Sequence, residues 1–190
     1  MNWIGAVIVG YVLLALELAI RAPLSLGPTG IAPYVLLPLV VHIAMHAPAT
    51  PSLWAALLAG LALDLESSRP TADGLGTVVV LGPSALGFLM AAFFTLNVRA
   101  IVIRRNPLSF IAVCVVAALL GQVATTLVFT LRQAVDASVA FSPGPELWIR
   151  SMSSLATGLS AAALAFPLRW LNPALGLQDP TLRRFRRPGR

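Results

Sequence analysis

Apolar residues run in six blocks along the chain, each bounded by prolines, glycines or charges. The blocks cover about Trp3 to Ile20, Ile31 to Met45, Leu53 to Leu65, Leu75 to Leu96, Leu108 to Leu131 and Leu147 to Leu171. A membrane-spanning helix takes roughly 20 residues at about 1.5 Å each. The first, fourth, fifth and sixth blocks reach or approach that length. The second and third are short, and Pro33 and Pro38 interrupt the second. This pair predicts either two kinked, tilted spans or one re-entrant hairpin. In both cases the chain returns to the side it left. The first block lacks a basic stretch before it and a small-x-small site after it, which predicts an uncleaved span. The pattern predicts an all-α, polytopic integral membrane bundle of about six transmembrane helices over residues 1–171. A short basic tail over 172–190 follows.

Composition points the same way. The chain has 190 residues, 58% hydrophobic and 11% charged. A soluble domain carries about 25% charged residues. Mean hydropathy is +0.87. These values exclude a soluble enzyme, a nucleic-acid-binding module and a disordered chain. Net charge is +6 and all 13 basic residues are arginine. In a soluble protein a pI near 11.3 would suggest nucleic acid. Here the arginines lie at the ends of apolar blocks and in the tail, so no nucleic acid is expected as a partner. With six spans, nine arginines fall on one side, among them Arg99, Arg104, Arg105 and Arg169. Four fall on the other: Arg21, Arg69, Arg132 and Arg150. The positive-inside rule then makes both termini cytoplasmic and the loops 66–74 and 132–146 external. The tail cluster around Arg183 to Arg187 is placed to meet anionic membrane lipids.

Few residues carry candidate chemistry. Asp64 lies within the third block, where a carboxylate is costly unless it faces protein or water. Ala56, Gly60 and Asp64 are spaced four apart and share one helix face, which predicts a close helix contact or a cavity there. The alternative is an interfacial carboxylate that pairs with Arg69 or caps a neighbouring helix. Glu17 and Arg21, also four apart, predict an intramembrane pair on the first helix. His42 and His46 have metal-compatible spacing but only two ligands, so interfacial histidines are expected. Cys114 predicts a small core hydrophobe. Gln122, Thr125 and Thr126 predict interhelical hydrogen bonds, and Ser154, Gly158 and Ala162 form a second small-residue stripe. Phosphate-binding, metalloprotease, hydrolase and zinc motifs do not occur in the sequence. No catalytic residue, cofactor or metal is therefore expected, and the chain reads as a non-enzyme.

The stretch from Pro33 to Gly87 resembles the rod shape-determining membrane protein family MreD. A proline-containing second span precedes a glycine-containing span that ends in Asp. Gly60, Asp64 and Ser67 match the family's G-x-x-x-D-x-x-S; Pro70, Gly74 and Leu75 match the proline and glycine–leucine that lead into the next span. Ser68 stands where the family has glycine, and Thr71, Ala72 and Asp73 lengthen the loop. The resemblance implies a fold like the S components of energy-coupling-factor transporters. It also implies a scaffold in the bacterial inner membrane that serves cell elongation. The implied partner is MreC, and through it the RodA-type glycosyltransferase, a class B penicillin-binding protein and MreB. The helix of MreC would enter a groove between spans, with Gly60, Asp64 and the 67–75 loop shaping the third-to-fourth span turn. On that footing Asp64→Leu is expected to harm assembly or folding more than Asp73→Asn.

The competing expectation is an S-component-like carrier subunit for a small solute such as a vitamin. It requires an outward pocket of polar and aromatic groups. Tyr34, Trp54, Gln122 and Trp148 look scattered in the sequence, and Ala6, Ala15 and Ala19 make no convincing docking stripe. A third expectation places Arg99 beside the phosphates of a lipid-linked precursor.

Overall fold

The computed structural model describes residues 1–24, 30–70, 76–102, 106–135 and 143–177. It is all-helical apart from one small ribbon. The helices are α1 (Trp3–Leu24), α2 (Leu36–His46), α3 (Ala49–Glu66), α4 (Pro83–Val98), α5 (Pro107–Val135) and α6 (Pro143–Trp170). The strands β1 (Ser68–Pro70) and β2 (Thr77–Val79) pair antiparallel between α3 and α4, with Arg69 opposite Val78. Gly74 and Leu75, Arg104 and Arg105, and the tail from 178 onward lie outside the described residues.

Prolines mark the starts of five of the six helices, while Pro23 and Pro167 lie toward the C-terminal ends of α1 and α6. The first turn of a helix has N–H groups without intrahelical acceptors, so proline loses little there. Pro83, Pro107 and Pro143 open α4, α5 and α6, and Pro38 and Pro51 fall in the first turns of α2 and α3. Pro38 therefore starts a helix and does not kink one. The fourth block behaves differently from its hydropathy. Thr77 to Val79 form a strand, and the helix begins only at Pro83. A β-branched run followed by Gly82 at φ 115° explains the break, since that backbone region suits glycine.

Among the described residues, three helices are long and apolar enough to cross a membrane: Trp3–Ile20 of α1, Pro107–Ala134 of α5 and Gly144–Trp170 of α6. α2 and α4 are shorter apolar helices. α2 is the centre of the bundle. Every residue from Leu36 to Met45 is buried, and α1, α3, α4, α5 and α6 all pack on it. α1 is the opposite case: only 17% of its span is buried, and Ile4, Val7, Ile8, Tyr11 and Val12 point outward. An apolar outer surface of this kind suits lipid or a partner helix.

Backbone that enters a bundle in extended form needs partners for its polar groups. Residues 30–34, which precede α2, find them on α6. The Ala32 N–H donates to Ser153 Oγ at 3.2 Å and the Tyr34 N–H to Thr157 Oγ1 at 3.0 Å. Ser160 Oγ donates to the Tyr34 carbonyl at 2.6 Å. The hydroxyls of one α6 face thus replace the ladder that a helix would have supplied. Thr157→Val removes the Tyr34 acceptor while keeping shape. It is expected to cost about 1–2 kcal/mol. Ser151→Ala, an exposed hydroxyl on the same helix, is expected to cost less than about 0.5 kcal/mol. Denaturant titration of the two variants in mixed micelles checks the difference.

The predicted stripe on α6 is only half right. Ser154 is buried, and Gly158 faces Val115 and Ile111 of α5, but Ala162 is exposed. At 3.6 residues per turn an i+4 series drifts around the helix. Ala161 and Ala165 take the buried positions instead.

Candidate functional site

Glu17 and Asp64 are both 2% exposed, and each meets the start of another helix. Asp64 accepts three backbone N–H bonds at the N-terminus of α4. Oδ2 takes Gly82 at 2.8 Å and Ala85 at 3.3 Å, and Oδ1 takes Ser84 at 2.9 Å. The carboxylate satisfies donors that a helix start leaves free and lies at the positive end of its dipole. Of the two expectations for Asp64, a close helix contact and a cap on a neighbouring helix, both hold together. The Ala56–Gly60–Asp64 face is buried, and a Cβ on Gly60 would fall on the Cα of Ala85 and 2.7 Å from its nitrogen. Ser67 ends α3, with its N–H on the Asp64 carbonyl at 3.2 Å. Pro70 lies in β1, and its side chain, like that of Arg69, is outside the described residues.

Glu17 does the same for α2. Its Oε2 accepts the N–H groups of Val35 at 3.1 Å and Leu36 at 2.8 Å. The Arg21 side chain lies outside the described residues, so the expected Glu17–Arg21 pair has no described counterpart. At the other end of α2, Arg99 Nη1 donates to the carbonyls of Ala44 at 3.1 Å and Ala47 at 2.6 Å. Acid at the N-terminus and arginine at the C-terminus match the helix dipole, each stabilising by about 1 kcal/mol. Arg99 is thus engaged with the bundle, a local role that its sequence position did not reveal.

The histidines belong to the same end as Arg99. His42 is buried, with Nε2 2.7 Å from Asn172 Oδ1, and His46 Nδ1 lies 2.9 Å from the His42 carbonyl. Among the described residues no three His, Cys, Asp or Glu side chains group as a metal site. Cys114 is buried in the α5 core.

A cavity of about 460 Å³ opens at the other end of the bundle. Its wall includes Glu17, Asp64, Tyr34, Phe88, Gln122 and Arg150. Arg150, on α6, is 8% exposed. Its Nε donates to Glu146 at 2.9 Å, its Nη1 to Gln122 Oε1 at 2.7 Å, and its guanidinium lies 5.6 Å from the Phe129 ring centre. Thr125 Oγ1, on the same stretch of α5 as Gln122, donates to the Pro83 carbonyl at 3.1 Å, and Thr126 bonds its own helix. The expected scatter of polar groups is therefore corrected. Tyr34 and Gln122 line one cavity with Arg150, whereas Trp54 and Trp148 point outward. In the sequence Arg150 bears only on topology. Its i,i+4 partner Glu146 and the mid-span Gln122 were the available signals.

Fold and site define a helical bundle, with three described helices long and apolar enough to cross a membrane and a polar cavity at one end. The chain matches no known protein family, no curated protein and no solved structure with which it was compared.

Proposed function

We infer that this chain is a non-enzymatic, multi-pass scaffold of the bacterial inner membrane, resembling MreD, that binds MreC and serves lateral peptidoglycan synthesis. The observation that carries this reading is the Gly60–Asp64–Ser67 motif at the α3–α4 joint. Each of its first two residues has a physical task there, one in close helix packing and one in capping. A motif with those tasks belongs to a fold and not to a catalytic site. In this reading all six helices span, with α2 and its extended lead-in forming a broken span, and both termini are cytoplasmic.

A groove of about 220 Å³ between α1, α2 and α3 supports the partner assignment. It is lined by apolar side chains, among them the small residues Ala6, Gly10, Ala55, Ala59 and Ala62. Small residues let a foreign helix approach closely, and no aqueous driving force is needed in lipid. The single helix of MreC fits that description.

Depletion of the chain from its source cells tests the reading. Loss of cell-shape control and slower side-wall incorporation of peptidoglycan precursors is the expected result. Unchanged shape and incorporation would contradict it. The polar cavity favours a second reading, an S-component-like solute carrier. Impaired uptake of one vitamin with normal shape is its signature.

A further inference from the structure

The cavity contains more than the scaffold reading uses. About 460 Å³ lies within the range of roughly 300–1,000 Å³ typical of small-molecule sites. Four acids stand on its wall; three are already engaged, and the fourth, Glu66, is exposed. Glu17 and Asp64 accept N–H groups from helix starts, and Glu146 accepts from Arg150. Arg150 is engaged only in part. A guanidinium has five N–H donors. Here Nε serves Glu146 and Nη1 serves Gln122, and Nη2 has no acceptor among the described residues. None of the fully buried side-chain nitrogens and oxygens described lacks a partner, so Nη2 must border open space. The open space on this wall is the cavity.

A guanidinium edge presented to a semi-enclosed space is a carboxylate or phosphate receptor. One aromatic ring, Phe129, lies under the guanidinium, and Tyr34 and Phe88 line the same cavity. We propose that the cavity binds a small organic anion, with its carboxylate or phosphate on Arg150 and a ring-bearing body among Tyr34, Phe88 and Phe129. This goes beyond the scaffold reading and does not depend on it, since the binding needs no partner protein.

The test uses the purified full chain and measures thermal unfolding with five probes. Nicotinate, benzoate and phenyl phosphate carry the anion; nicotinamide and benzamide are neutral isosteres. The anions at about tenfold over their dissociation constants are expected to raise the midpoint by roughly 3 °C, and the amides by less than about 1 °C. Arg150→Gln is expected to abolish the rise. Ser84→Phe, which fills the cavity from α4 and leaves the backbone donors of Asp64 in place, is expected to abolish it too. This second variant keeps the test valid if loss of Arg150 prevents folding. No rise with any anion, an equal rise with the amides, or a full rise in Ser84→Phe would overturn the proposal. A parallel arm compares nanodiscs of phosphatidylglycerol and phosphatidylcholine. An Arg150-dependent rise confined to phosphatidylglycerol, with none from the aromatic anions, would overturn the soluble ligand in favour of a lipid headgroup.

Discussion

Asp64→Leu is expected to destabilise the bundle by about 3 kcal/mol, enough to lose most of the folded chain. Three N–H groups of Gly82, Ser84 and Ala85 lose their acceptor at once. Ser84 lines the cavity, so water can replace part of what is lost there, but Ala85 is buried. The removed charge also stood at the positive end of the α4 dipole. Asp64→Asn retains one acceptor oxygen and is expected to fall between the two extremes. Glu66→Gln is the control: Glu66 is exposed on the same helix, and its loss is expected to cost less than about 0.5 kcal/mol. Asp73, the control that the sequence alone suggested, lies outside the described residues. Expression level and denaturant titration in micelles separate the three variants.

Gly60→Val is expected to match that loss, at about 3 kcal/mol. The obstacle is backbone. A Cβ at this position meets the Ala85 nitrogen and the Ser84 carbonyl oxygen, both at 2.7 Å. A flexible side chain could turn away, but a helix backbone moves only as a unit. α3 would have to withdraw from α4, and Asp64 would withdraw with it from the N–H groups it caps. The effect is therefore coupled to Asp64. In a double-mutant cycle, Gly60→Val with Asp64→Leu is expected to cost clearly less than the two losses added. Gly144→Ala gives the comparison, because no atom lies within 4 Å of a Cβ there. It is expected to leave stability unchanged within about 0.5 kcal/mol.

The helices were legible because hydropathy and proline are local signals. Six apolar blocks became six helices, displaced by five residues or fewer at their ends except for α4, which starts eight residues late. The misjudged segment, Thr77 to Val79, is apolar enough for a span, and only its pairing with Ser68 to Pro70 makes it a strand. Contacts between distant segments were less accessible. Glu17 has the spacing of a helical pair with Arg21, whose side chain lies outside the described residues, and it also reaches the start of α2, 18 and 19 residues away. Spacing within a helix cannot reveal a partner on another element. The cavity was hidden for the same reason. Tyr34, Asp64, Ser84, Gln122 and Arg150 come from five separate parts of the chain. Each has an adequate local explanation, and only the fold brings them together. Ser153, Thr157 and Ser160 carry a fainter signal. Hydroxyls repeated along one face of an apolar helix mark a place where non-helical backbone can be received.

The scaffold proposal predicts which proteins accompany this chain in the cell. Gentle detergent extraction of the tagged protein from source membranes, followed by mass spectrometry of the retained proteins, addresses that most directly. The account predicts recovery of a bitopic periplasmic coiled-coil protein of the MreC type together with peptidoglycan synthases. Recovery of a transmembrane coupling subunit with paired ATPases in their place would contradict it.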